Sequence, residues 1–246
     1  MGVARKLVEI AGNAQKIYES GFKDGAEANW DVFWDLFQDF GIRTKYKRAF
    51  SLGWHNETFL PKYKIVPQGE ICADYMFYET NIETVDDTKV DFSKVENFNN
   101  VFEFSQCTSI SMDARSAKSM FKTFYNANFL TSLTIHNLQE DCTFEDAFTG
   151  SICLSDLYLT GSIGQDINLS TCSILTRESI LNFVDSLSIN AEGKTAKLSL
   201  HAVAKAFETS HEKRDGDTTK EWLDIVATRP NWTITLVKGF NLDNWS

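Results

Sequence analysis

The chain has 246 residues, 43% of them hydrophobic, with 19 Phe and only three Pro, which excludes a disordered chain or a Pro-rich linker. Its net charge of −10 is uneven: residues 1–70 carry 10 basic and 9 acidic side chains, residues 71–172 carry 5 and 15, and residues 173–246 carry 9 and 10. An acidic middle third repels phosphate backbones and argues against nucleic acid as a partner; a solvated repeat surface is its plainest use.

The N-terminus, Met1 to Lys6, leads into no apolar signal region, and Lys6 departs from the myristoylation pattern. No apolar run approaches the ~20 residues of a membrane span. The expectation is a chain made in the cytoplasm with no signal peptide and no membrane partner. Val3, Leu7, Ile10, Ala14 and Ile17 are spaced as a short heptad seam. Such a helix either oligomerises or anchors the chain, or docks on its own chain, because a helix this short is marginal without a partner.

Gly21 and Gly25 break that pattern, and Trp30, Phe33, Trp34, Phe37 and Phe40 form a second apolar stripe. Residues 42–70 are aromatic and basic without clear period (Arg43, Tyr46, Phe50, Trp54, Phe59, Tyr63). Such a cluster suits either a ligand or glycan site or a packed connector over the first repeat.

From residue 71 an internal repeat governs the chain. Phe77, Phe102, Phe124 and Phe148 recur 25, 22 and 24 residues apart. Ahead of each lies Ala73, Phe98, Met120/Phe121 or Phe144; five residues after each lies Ile82, Cys107, Phe129 or Cys153. Val85, Ile110, Leu133 and Leu157 follow, and Ile135 and Leu159 add an alternating position in the last two units. Phe144 and Phe148, four apart, predict a turn or two of helix, and the alternating segments predict short strands. A unit this small buries its apolar face only against a stacked neighbour. Cys107 and Cys153 then read as core rungs, and Ile163, Ile167 and Leu169 as a fifth, degenerate strand. The five Cys (Cys72, Cys107, Cys142, Cys153, Cys172) are odd in number and contain no CxxC pair, so they indicate buried thiols, not a disulfide framework or zinc site.

After residue 172 the repeat stops. Thr176 opens a helix with the stripe Ile180, Leu181, Val184 and Leu187. A strand at 196–201, a helix around 219–228 with Trp222, Leu223 and Val226, and a strand at 232–237 follow. The fold class is α/β: a short leucine-rich-repeat-like solenoid, a coiled-coil-like amphipathic helix before it and an α/β cap behind. The expected domains are 1–28 (oligomerising or anchoring helix), 29–70 (aromatic connector and N-terminal cap), 71–172 (solenoid) and 173–246 (C-terminal cap).

Several segments carry a resemblance: Val32-Phe-Trp-Asp-Leu-Phe-Gln38, Trp54-His-Asn-Glu-Thr-Phe59 and Pro61-Lys-Tyr63 in front, then the Phe-anchored repeats. Leu175-Thr-Arg-Glu-Ser-Ile-Leu181, Lys197-Leu-Ser-Leu-His201 and Trp232-Thr-Ile-Thr-Leu236 follow. In this order they resemble BspA-like leucine-rich-repeat proteins of the kind found in phages and prophages of gut bacteria, over roughly residues 15–240. The resemblance implies a virion structural protein, such as a head or tail fibre or a surface decoration, without catalytic residues. The chain departs from the strongest leucine-rich patterns, since Phe, Cys and Ile replace many Leu.

No Walker A, GxGxxG, HExxH or GxSxG pattern occurs. Gly161-Ser-Ile-Gly164 is a lone turn signal, and His55, His136, His201 and His211 are scattered without ligand spacing. The carboxylate pairs Asp86/Asp87, Glu140/Asp141 and Glu145/Asp146 lack the separation across a cleft that glycoside hydrolysis needs, and no EF-hand loop surrounds them. The expectation is therefore no enzyme, and no catalytic, cofactor-binding or metal-binding residues. Expected partners are other virion proteins, a host-cell surface glycan or protein, and copies of the chain itself, with a trimer favoured by analogy with fibres. The alternative is a bacterial cell-surface adhesin or a protein-interaction scaffold; the missing export signal counts against the adhesin.

Overall fold

The computed structural model describes residues 73–207 and 219–238. The expected helix at 1–28 and connector at 29–70 lie outside the described residues.

The described chain is mixed α/β, with parallel strands stacked as a β-solenoid of about five turns. Strands β1 (Thr84–Val85), β2 (Ser109–Asp113), β3 (Ser132–Leu138) and β4 (Asp156–Gly161) form one parallel sheet in sequence order. Val85, Ile110, Leu133 and Leu157 lie side by side and inward, and so do Met112, Ile135 and Leu159. Met112 extends the alternating position to the second unit. The intervening Ser109, Ser111, Asp113, Ser132, Thr134 and His136 face outward, as the two-residue strand period requires.

Opposite the sheet, each unit returns through a six-residue turn, at 74–79, 99–104, 121–126 and 145–150. These are not the helical turns expected at Phe144–Phe148. The second and sixth residue of every turn have positive φ: Tyr75 and Glu79, Asn100 and Phe104, Lys122 and Asn126, Asp146 and Gly150. That left-handed pair breaks the helical bond pattern, and costs energy at a bulky residue such as Phe104. Bonds between turns offset the cost. The N–H groups of Tyr75, Phe77 and Glu79 donate to the carbonyls of Asn99, Val101 and Glu103 in the next turn, at 3.2, 2.8 and 3.0 Å. The alternate N–H groups of Met76, Tyr78 and Thr80 donate back within their own turn. The same alternation joins the second turn to the third and the third to the fourth, so the backbone is satisfied without helix or strand.

The core lies between sheet and turns. Phe77, Phe102, Phe124 and Phe148 are all buried and stack as a ladder, with successive ring centroids 5.1, 5.8 and 5.4 Å apart. Those distances follow the ~4.8 Å strand spacing, so one ring per unit fills the solenoid interior continuously. Ala73, Phe98, Met120 and Phe144 are buried as expected, whereas Phe121 is half-buried.

Phe129 corrects the sequence analysis. It is 58% exposed, and Cys153 is only half-buried; the inward position is taken by Ile82, Cys107, Leu130 and Leu154. The third and fourth units hold one more residue after their turns, absorbed where Asn128 N–H donates to Asn126 O and Ile152 N–H to Gly150 O. A constant offset from the Phe position therefore slips by one residue.

The fifth strand is also placed differently. β5 (Ile167–Leu169) pairs with β6 (Lys194–Ser199), and β6 with β7 (Trp232–Val237), in a separate three-stranded parallel sheet. Beside β4 sits helix α1 (Arg177–Ser186), whose N-cap Thr176 accepts from Ser179 N–H. A row of hydroxyls marks the substitution. Thr108, Thr131, Ser155 and Ser179 donate in turn to the carbonyls of Glu83, Thr108, Thr131 and Ser155, at 3.2, 3.0, 3.1 and 3.0 Å. Ser179 thus stands where a fifth strand would supply the next residue. Gly161 lies where β3 and β4 shift register, with φ +101°, and a Cβ there would fall 2.2 Å from Leu138 O.

Helices α2 (Leu200–Ala206) and α3 (Lys220–Ala227) complete the described chain. Ser199 caps α2, so the strand expected to run to His201 stops two residues sooner. Trp222 and Trp232 are buried, and Trp232 Nε1–H donates to Ser188 O at 2.7 Å.

Candidate interaction surface

Repeating units present equivalent residues in rows, so any recognition site on a solenoid is a face. Two faces are built here. On the sheet face, Ser109, Ser111 and Asp113 run beside Ser132, Thr134 and His136, and then Asp156, Tyr158 and Thr160. Asp113 accepts from Arg115 Nε at 2.9 Å and from Asn137 Nδ2 at 3.1 Å. Partial burial pushes its carboxyl up, but these bonds outweigh that and hold it below the ordinary range. Asp86, at the end of β1, is lowered chiefly by the Thr88 hydroxyl. Asp87 accepts from Ser111 Oγ at 3.0 Å. Asp156 opens β4, at the far end of the strands from Asp113, so the carboxylates do not converge.

The remaining candidates are dispersed too. Glu140 accepts from the Ser188 hydroxyl, whereas Glu145 and Asp146 lie in the exposed fourth turn. His136 lies opposite Asp113 on the sheet face, and His201 lies on α2; His55 and His211 are outside the described residues. Among the described residues, no group of three or more His, Cys, Asp or Glu is placed to hold a metal ion, and no helix is long and apolar enough to cross a membrane.

Burial pushes the Cys107, Cys142 and Cys172 thiols up to about 12, with a neighbouring hydroxyl giving partial relief at Cys107 and Cys172. A thiol held protonated is a poor nucleophile and a poor metal ligand.

The turn face carries what sequence reasoning missed. Tyr78, Phe104 and Tyr125 form an edge-to-face row across three units, with centroids 5.9 and 6.0 Å apart and interplanar angles of 89° and 81°. Tyr75 meets Tyr78 at 5.5 Å, and Phe104 is 41% exposed. Beneath the row Asn100 and Glu103 are both buried, and the Asn100 amide donates to Glu103 Oε2 at 2.6 Å. Burial first, then a hydrogen bond to Glu79 and the charges of Glu79 and Glu103, hold the Tyr78 phenol above its ordinary pKa. Lys122 Nζ lies 5.3 Å from the Phe121 ring centroid and 5.0 Å from that of Tyr125. The sequence signal was present, one or two residues past each buried Phe, but aromatics in a repeat are assigned to the core by default.

Comparison with family models, with curated proteins and with solved structures finds no match for the chain.

Proposed function

We propose that the chain is a non-catalytic recognition and assembly protein of a phage virion, a fibre or surface decoration whose repeat faces bind a partner. In this reading the solenoid is of the BspA-like leucine-rich-repeat kind, with 173–246 as its terminal cap. The seam Val3–Ile17 oligomerises the chain or anchors it to other virion proteins. The observation that supports recognition is the row Tyr78, Phe104 and Tyr125. It presents partly solvated aromatic rings in fixed register on a stacked scaffold. Rigid aromatics contribute much contact area at small entropic cost, and contiguous exposed apolar patches mark interaction sites.

The test has two arms. Mass spectrometry and electron microscopy of purified particles from the phage or prophage that encodes the chain should find it on the particle. Full-length protein added to host cells should bind without releasing products from envelope glycans. Glycan cleavage abolished by one carboxylate substitution would overturn the non-enzyme reading. Absence from particles together with export to the cell surface would favour a bacterial adhesin.

A further inference from the structure

The aromatic row does not stand alone on the turn face. The four stacked turns carry five carboxylates (Asp74, Glu79, Glu103, Glu145, Asp146) and one basic residue, Lys122. Such a face combines negative potential with ring faces, and both attract the same kind of group. A guanidinium or ammonium is held by the ring quadrupole and by nearby carboxylates together.

The molecule makes this contact within itself. Arg177 lies over the Phe207 ring, 4.6 Å from its centroid, while its guanidinium pairs with Glu221. Lys122 lies over Phe121 and Tyr125. On the turn face the rings of Tyr78 and Phe104 lie beside Glu79 and the buried Glu103; Lys122 stands in the third turn, and Glu145 and Asp146 resume the acidic strip in the fourth.

We infer that the turn face is the docking surface for a basic polypeptide segment of a partner protein, with arginine side chains seated on Tyr78 and Phe104 and paired with the exposed Glu79. Charge complementarity decides the occupant. Anionic glycans and phosphate polymers are repelled by five carboxylates, and a neutral glycan leaves their charge unused. The assignment rests on the reading of the chain as a non-catalytic interaction protein.

The probe is a fluorescent peptide of alternating Gly and Arg, with Gly-Lys and Gly-Glu counterparts, titrated against the full-length chain by fluorescence anisotropy at about 0.15 M salt, where exposed charges are screened beyond ~8 Å. The Gly-Arg peptide should bind more tightly than Gly-Lys, and Gly-Glu should not bind. The double variant Tyr78→Ala and Phe104→Asn should lose about tenfold in affinity, because each exposed cation–ring contact contributes of order 0.5–1 kcal/mol. Asn tolerates the positive φ of Phe104, and an unchanged melting temperature checks the fold. Glu79→Gln should weaken binding and flatten its salt dependence, while Ser111→Ala with Thr134→Ala on the sheet face should leave it unchanged. Equal binding by wild type and the aromatic variant, equal affinity for Arg and Lys, or retention of a neutral glycan in place of the peptide would each overturn the inference. Any of these results would leave the proposed function standing, because in that reading the seam Val3–Ile17 holds the chain on the particle; absence of the chain from particles would sink that function.

Discussion

Asn182 binds the backbone of Leu159 twice: its Oδ1 accepts from the Leu159 N–H at 2.7 Å, and its Nδ2 donates to the Leu159 carbonyl at 3.1 Å. One side-chain amide thereby does for the edge of β4 what a neighbouring strand does for the others. Ser179 assists one pair of residues earlier, where its Oγ accepts from Leu157 N–H at 2.9 Å. An open sheet edge is a template for wrong pairing, and helix α1 removes it. Asn182→Ala should therefore destabilise the fold by ~1–3 kcal/mol, as for partly buried backbone groups left unpaired. Asn182→Asp should also destabilise, because it keeps the acceptor but sets a carboxylate oxygen against the Leu159 carbonyl. Urea denaturation of both variants measures this; wild-type stability in both would show that water serves the edge equally well.

Phe124 lies within the ring ladder, stacked on Phe102 on one side and Phe148 on the other. Its truncation opens a cavity that two turns share. Phe124→Ala should cost ~3–5 kcal/mol, the range for large buried aromatics. Phe129→Ala, five residues on but exposed, should change stability by less than ~0.5 kcal/mol. Thermal unfolding of the pair compares a core position with a surface position of the same residue type. Similar losses in both would contradict the placement of Phe129.

Much of this fold is legible in the sequence because stacking forces equivalence. Phe77, Phe102, Phe124 and Phe148 share one environment, and the strand positions Val85, Ile110, Leu133 and Leu157 pair in register. The cap of α1 was equally visible in Thr176, whereas Ser199, which caps α2, fell inside an expected strand. The turns were not visible. Two apolar residues four apart look helical, yet left-handed residues at Asp146 and Gly150 produce the same inward pair without a helix. Nor does any pattern announce that β5 leaves the first sheet, because Ile167 and Leu169 alternate as a stacking strand would; what displaces them is the reach of Ser179 and Asn182. On the surface, Phe104 and Tyr125 resemble core residues in type and sit only one or two positions from them.

Gly161 is required by both conformation and space. Its φ of +101° strains any side chain, and an added Cβ would lie 2.2 Å from Leu138 O and 2.5 Å from Leu138 N. Those contacts are with backbone held in the sheet, so relief means parting β3 from β4. Gly161→Ala should destabilise by more than the ~1 kcal/mol of an ordinary left-handed site. Hydrogen exchange should show the loss first at Asn137 and Leu138, beside the register shift. An alanine variant with unchanged exchange there would show that the strands give way freely.

The buried thiols set an alkaline limit on stability. Cys107 and Cys172 titrate near 12 in the folded chain because burial disfavours the thiolate, against an ordinary value of 9.0. Below pH 9 both the folded and unfolded chains hold the proton, so the thiols add no pH dependence. Above it the unfolded chain releases protons that the folded chain keeps, and stability falls until the folded groups titrate as well, near pH 12. At pH 10 each thiol should lower stability by roughly 1.4 kcal/mol relative to pH 8. Cys107→Ala removes one such group at the expense of some packing, so it should be less stable than wild type at pH 8 and close much of that gap at pH 10. Urea denaturation of both proteins at the two pH values gives the four numbers needed. A gap that stays constant from pH 8 to pH 10 would mean that Cys107 ionises as freely in the folded chain as in the unfolded one, contrary to its complete burial.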